Sequence, residues 1–359
     1  MKALLPFRRA IAPFVISIVA LACFIAGSSN AATEIRLLET GSTLLYPLFN
    51  LWAPDYAKAH PDVQITTQGT GSGTGISEAI AGVAQIGASD AYMSNPQIKQ
   101  NPDVLNIPLA ISSQMISYNI PGLNSQQLKL SGPTLAGIYG GSVRTWDDPA
   151  IAKDNPGVKL PHQTIVPVHR TDGSGDTFIF TQYLSDSTPS WANSTSYGTT
   201  VSWPAVEGGI GAEGNPGMVD ALKGVPYSIG YVGISFKNAI DAAKLGTALL
   251  QNHDGDFVSP DAADVSAAVK ATEAKTPPDE RMSLIFAPGP KSYPIINYEY
   301  VIVEEKQPSS SEAAALKDFL SWAIARSGGE SPKYLNAVNF APLPAEIAKL
   351  SQDQIDKIQ

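Results

Sequence analysis

The sequence predicts an α/β protein of two lobes, each a mainly parallel sheet flanked by helices, with two hinge crossings between them. Three observations carry that expectation. Between residues 33 and 90, apolar strand-like runs alternate with segments whose apolar residues recur at helical spacing. A second strand-like run, 164–168, passes through a turn of small residues into a helix-like run, 178–184. Two extended apolar segments, 111–120 and 296–302, bracket the middle of the chain. Strand, helix, strand in succession is the pattern of a parallel sheet, whose ligands bind where strand ends meet helix starts.

Taken in order, residues 1–31 differ from the rest. Lys2, Arg8 and Arg9 precede an apolar run over 11–27, and Ser29, Asn30 and Ala31 follow it, the layout of an export signal peptide. The competing reading is a membrane anchor, for which the run falls short of the ~20 residues a span needs. Cys23 is the sole cysteine and lies within this run, so the exported chain holds no disulfide. It follows Ala20, Leu21 and Ala22, a poor version of a lipoprotein cleavage box, which leaves lipid anchoring through Cys23 as the weaker alternative to release into the periplasm. Removing 1–31 takes away three basic side chains and no acidic one, lowering the net charge from −9 to −12. That balance speaks against a nucleic-acid partner, which requires a basic face.

Residues 33–39 read as the first strand, and Leu45, Leu48, Phe49 and Trp52 as a helix ending before Pro61. Residues 63–67 alternate as a second strand. Ile76, Ala79, Ile80 and Val83 mark another helix, and 86–90 a short strand ending in a carboxylate. The two bracketing runs become crossings between a first lobe, 32–110 with 294–359, and an inserted second lobe, 111–293. Within the insert, 185–225 is rich in Gly, Pro, Ser and Trp and reads as irregular surface with a short helix over 218–223. Residues 227–234 form a strand, and 259–275, alternating Ala with charge, a solvated helix. Leu316, Phe319, Leu320 and Ala323 form an amphipathic helix ended by Gly328 and Gly329.

Several chemistries are missing. His60, His162, His169 and His253 lack metal-ligand spacing, no Gly-x-Ser-x-Gly elbow surrounds a serine, and no Gly-Lys-Ser/Thr phosphate loop exists. Gly209, Gly211 and Gly214 match a dinucleotide fingerprint but follow a polar loop, without the strand before and helix after that the fingerprint needs; loop geometry is the expectation. With no base beside a nucleophile, binding without turnover is expected, with no metal and no cofactor.

What remains is a set of anion seats. Small hydroxyl residues open a helix at Gly41-Ser42-Thr43, at 69–75 and at 170–177. Free N–H groups at a helix start carry roughly half a positive charge, favouring an anion. Hydroxyls of Thr43, Ser72 and Ser174, backbone N–H groups of Leu44 and Gly175, and the fork of Arg170 supply donors for one tetrahedral anion. Asp90 adds an acceptor. A carboxylate in such a pocket is tolerated only by an anion that brings a proton, which phosphate does and sulfate does not. Asp176 is either a second acceptor or a first-turn carboxylate favoured by the helix dipole. Competing roles are a turn residue for Asp90, N-caps for Ser72 and Ser174, and a surface pair with Asp172 for Arg170.

The segments 39–49 (Glu-Thr-Gly-Ser-Thr-Leu-Leu-Tyr-Pro-Leu-Phe), 68–73 (Gln-Gly-Thr-Gly-Ser-Gly), 86–91 (Ile-Gly-Ala-Ser-Asp-Ala), 145–149 (Thr-Trp-Asp-Asp-Pro), 169–178 (His-Arg-Thr-Asp-Gly-Ser-Gly-Asp-Thr-Phe) and 294–298 (Pro-Ile-Ile-Asn-Tyr) together carry a resemblance. The chain resembles the substrate-binding protein of the bacterial high-affinity phosphate ABC transporter. That resemblance implies a type II periplasmic-binding-protein fold, a monomer that closes on inorganic phosphate and delivers it to a membrane permease. It places the phosphate contacts at Thr43, Leu44 (backbone), Ser72, Asp90, Arg170, Ser174 and Gly175. Asp176 stands where other members carry threonine and is similar to a subgroup of lipid-anchored actinobacterial members. An exported phosphatase and a surface protein bearing a phosphate site are the alternatives.

Overall fold

The computed structural model describes residues 34–359; the signal-peptide and Cys23 readings lie outside the described residues. Among the described residues there are twelve strands: β1 (Ile35–Gly41), β2 (Val63–Gln68), β3 (Ile86–Ser89), β4 (Val104–Tyr118), β5 (Lys129–Leu130), β6 (Val166–Arg170), β7 (Ile210–Ala212), β8 (Ser228–Gly233), β9 (Gly246–Thr247), β10 (Leu249–Gln251), β11 (Phe257–Val258) and β12 (Ile296–Glu304). The main sheet has the order β2-β1-β3-β12-β4-β8-β6-β7, with β9 on the side of β4; β11, β10 and β5 form a small second sheet. At one end β1 runs parallel to β2 and β3, and at the other β6 runs parallel to β7 and β8. The two middle strands, β12 and β4, are antiparallel to their neighbours.

β4 joins the two parallel ends. Its first part, from Val104 to Ser113, pairs with β12, and its last part, from Gln114 to Tyr118, pairs with β8. All its residues are buried, which is why they read as a nearly continuous apolar run. The strand begins before 111, because Pro108 costs no ladder bond: the register shifts between Glu299 and Tyr300, so the proline sits at a bulge. Its polar exceptions, Asn106, Ser112, Ser113, Gln114 and Ser117, are all buried, as are Asn297 and Glu299 on β12.

The first-half helices follow the periodicity. Helix Tyr46–Ala59 turns Phe49, Trp52 and Tyr56 toward Phe319 and Trp322 of helix Ser310–Ala323, and Trp52 meets Phe319 edge to face at 6.3 Å. The latter helix ends at Ala323 with Ile324 as its cap, before the Gly328-Gly329 pair expected to end it, and Gly329 O instead accepts from the buried Trp52 indole N–H at 3.0 Å. The region 185–225 is more ordered than its composition predicts: it holds a short helix, Pro189–Ala192, strand β7 and helix Gly214–Gly224. Gly211 lies inside β7 and Gly214 opens a helix, so the helix after the pattern is present, while no strand precedes Gly209, as expected. The three-residue strand is too short for periodicity to reveal, and glycine dilutes the apolar signal of the helix. Helix Ala262–Thr272 buries Val265, Ala268 and Val269, so it packs one face inward and is solvated only on the other. Among the described residues no helix is long and apolar enough to cross a membrane.

Candidate functional site: buried carboxylates in a ring of donors

Three helix starts converge at the sheet's strand ends. After β1, Ser42 Oγ accepts from the backbone N–H groups of Leu44 and Leu45 at 3.1 and 3.0 Å, and its own proton goes to Asp90 Oδ1. After β2, Gly71 takes a φ of +92°, which a side chain rarely tolerates, and its N–H donates to Gly41 O at 2.7 Å. That turn delivers Ser72, whose hydroxyl donates to Asp90 Oδ2 at 3.3 Å and accepts from Asp90 N at 3.2 Å. After β6, Ser174 Oγ caps helix Gly175–Ser187 by accepting from Thr177 N at 3.1 Å. The second and third turns touch directly, Gly73 N donating to Gly173 O at 2.8 Å. Gly175 packs so tightly that an added Cβ would fall 2.5 Å from Ser72 Oγ and against the Asp90 carboxylate.

Arg170, at the end of β6, is buried beside two carboxylates, buried Asp176 and partly buried Asp172. Its Nε donates to Asp172 Oδ1 at 2.7 Å, Nη2 pairs with Asp172 Oδ2, and Nη1 donates to Asp176 Oδ2 at 2.9 Å. The pairing with Asp172 is thus real but buried, not superficial, and it is shared with Asp176. Asp176 also accepts from Gln114 Nε2 on β4 at 3.0 Å and from Asn215 Nδ2 at 2.6 Å. Asn215, in the first turn of helix Gly214–Gly224, donates from its backbone and side chain to Thr43 Oγ1 at 3.1 and 3.0 Å. Leu44 is fully buried against Gly233, and its carbonyl accepts from Ser235 Oγ at 2.8 Å. Thr43, Leu44, Ser72, Asp90, Arg170, Gly175 and Asp176 therefore share one contact network; Ser174 joins through its cap and its neighbour Gly175.

This network concentrates negative charge on one cation. Burial pushes the Asp90 carboxyl up to about 7, Asp176 adds to that by repulsion, and Ser42 and Arg170 oppose it. Burial likewise raises Asp176 against the pull of Arg170. Glu299 of β12 is raised well above the usual range by burial and by the Asp90 charge. Burial also works against an ionised Asp172, but the Arg170 contact outweighs it and holds that carboxyl below its ordinary value. Burial favours loss of the Arg170 proton; its two carboxylates retain it. Such a site offers hydroxyl and guanidinium donors to an anion while presenting a carboxylate acceptor that only a protonated anion satisfies. Cavities of about 820 Å³, lined by Gly73, Tyr92, Phe178, Tyr197 and Arg281, and about 340 Å³, lined by Thr43, Tyr46, Asp172 and Phe236, flank the network on two sides. Among the described residues no group of three or more His, Cys, Asp or Glu could hold a metal ion.

Residues 26–327 match the model of the PBP superfamily domain. The phosphate-binding protein PstS of Methanocaldococcus jannaschii is 35% identical over 350 residues, covering 92% of this chain and 88% of that relative. The chain belongs to the PstS family within the PBP superfamily. PstS of Pasteurella multocida is 33% identical over 314 residues, covering 88% of each chain. The structure of a phosphate-binding protein from Stenotrophomonas maltophilia superposes with a TM-score of 0.67 at 18% identity, over 89% of this chain and 93% of that one, which establishes the shared fold.

Within this PstS-family site, several participants escape sequence reading. Ser42 stood in the first anion turn, but nothing in its spacing said that its hydroxyl would meet Asp90. Asn215 adjoins Gly214 of the discounted glycine pattern. Gln114 and Glu299 had a usable signal: each is a polar side chain inside an otherwise apolar central strand, where burial without a partner is costly. Tyr231, whose hydroxyl accepts from Arg170 N at 2.9 Å, had none, since an aromatic in a strand usually means core.

Proposed function

We propose that the chain binds inorganic phosphate between its two halves and delivers it to the permease of an ABC-type phosphate importer. The observation that carries this reading is the buried Asp90 carboxylate, held by Ser42 and Ser72 and faced by Gly175 at the junction of three helix starts. The relatives named above support the ligand, since they are phosphate-binding proteins. The lobes are 32–110 with 294–359, and 111–293; β4 and β12 are the crossings, and the cleft closes as the turns of one lobe meet those of the other. Thr43, Leu44, Ser72, Asp90, Arg170, Ser174, Gly175 and Asp176 form the phosphate site. The protein acts as a monomer in the periplasm after loss of the signal peptide 1–31, and it binds without turnover.

Asp90 provides the selectivity. It accepts the proton of phosphate, whereas sulfate leaves it unpaired next to a full negative charge. Calorimetric titration with phosphate, arsenate and sulfate tests both parts. The native protein takes phosphate and arsenate and rejects sulfate, and Asp90→Asn narrows the gap because an amide donates to a fully ionised anion. Equal native affinity for phosphate and sulfate would overturn the acceptor role.

A further inference from the structure

We propose that Glu299 is a positioning residue for phosphate selectivity, holding a proton against Asp90 so that Asp90 stays an ionised acceptor. This rests on the phosphate reading above and deepens it.

Glu299 lies on β12, the strand between β3 and β4, with no exposed surface. Its Oε1 is served twice, by Ser112 Oγ from β4 at 2.5 Å and by Asn297 Nδ2 at 3.0 Å. Its Oε2 is buried and receives no donor. An ionised carboxylate with one oxygen unserved in that position is costly, and a second carboxyl, Asp90, lies near enough to raise Glu299 further. A single proton on Glu299, directed at Asp90, resolves both problems: it neutralises Glu299 and gives Asp90 a donor. Asn297 fixes the geometry, since its Nδ2 also donates to Asp90 O at 3.1 Å. The groups acting on Glu299 are Asp90 beyond β3, Ser112 on β4 and Asn297 on its own strand; Asp176 and Arg170 act through Asp90.

The proton belongs on Glu299 because both Asp90 oxygens already accept from serine hydroxyls, whereas Glu299 Oε2 has no donor. Two consequences follow for binding. A neutral Glu299 removes one negative charge from behind the anion. It also spares Asp90 from protonating itself, which would turn the acceptor into a donor and admit sulfate.

Glu299→Gln and Glu299→Leu, titrated with phosphate and sulfate between mildly acidic and alkaline pH, separate this role from a packing role. The amide of Glu299→Gln keeps a donor toward Asp90 and cannot ionise, so phosphate affinity near neutrality stays within about threefold of native. As pH rises and Glu299 of the native protein gives up its proton, the variant loses less affinity than the native chain. Glu299→Leu removes the donor, and the phosphate-to-sulfate preference narrows about tenfold. A pH profile of Glu299→Gln that superimposes on the native one overturns the proposal even if Glu299→Leu fails to fold. If the native protein gives no binding heat with phosphate, the functional reading falls and this one with it; native binding with unchanged variants removes only the role of Glu299.

Discussion

Arg170 and Asp176 form an ion pair between Nη1 and Oδ2 at 2.9 Å in which both side chains are almost wholly buried. The pair sits inside the candidate phosphate site and shares its cation with Asp172. Breaking one partner of such a pair leaves an uncompensated charge, at a cost of about 3–5 kcal/mol. Arg170→Ala therefore lowers both stability and phosphate affinity, the latter by about 2 kcal/mol or more. Calorimetry and denaturant titration on the same preparation read the two effects, and unchanged affinity would place Arg170 outside the site.

Asp176→Thr, which installs the residue other family members are expected to carry, destabilises this chain. Gln114 and Asn215 both donate to the carboxylate, and a hydroxyl is too short to serve both and Arg170. The expected loss is about 1–3 kcal/mol in urea denaturation, the cost of leaving buried donors unmet. An unaltered midpoint would show that Asp176 is not the anchor of those three side chains.

Gly175→Ala is expected to push its turn away from Ser72 and Asp90. Its methyl group would lie 2.5 Å from Ser72 Oγ and against Asp90, both on the facing segment of chain. Phosphate binding falls by at least about tenfold, while the thermal midpoint without ligand changes little, because only the approach of the two segments is hindered. Native-like affinity in this variant would mean that Gly175 and Asp90 do not meet when ligand is held.

Asn215→Ala disconnects Thr43 from Asp176. It removes two side-chain hydrogen bonds, at 3.0 and 2.6 Å, and the acceptor for Gly233 N. A drop of about 1–2 kcal/mol in phosphate affinity is expected from calorimetry. No drop would confine Asn215 to packing.

Stability depends on pH through a group remote from the site. Glu280 is buried, accepts from Ser351 Oγ at 2.9 Å and is pushed by burial from 4.5 up to about 9. The fold prefers its neutral form, so its contribution is full below the unfolded value and is lost as pH rises toward about 9. Glu280→Gln, which cannot ionise, flattens the fall of the thermal midpoint over that window. A variant with the same slope as the native protein would remove Glu280 as a source.

The three turns that open helices and the strand-helix alternation of residues 35–89 were legible because each is local: a turn residue, a cap or a period acts on its own few neighbours. The short strand β7 and the first turn of helix Gly214–Gly224 were not legible, since glycine and brevity hide the period: the helix was read only from 218, and Asn215 was missed. The span of β4 was underestimated because a proline inside a strand reads as its end unless a bulge receives it.

By itself, the amino-acid order determined which residues could serve as donors and acceptors and that the chain would wind as alternating strands and helices, since both follow from side-chain chemistry and short-range spacing. Only the tertiary structure decided that Arg170 divides itself between Asp172 and Asp176, that Asn215 ties Thr43 to Asp176, and that Glu299 lies behind Asp90. Those pairings join residues far apart in the chain, and their energies come from shared burial, where a lone charge is costly and its partner is whatever the fold brings near.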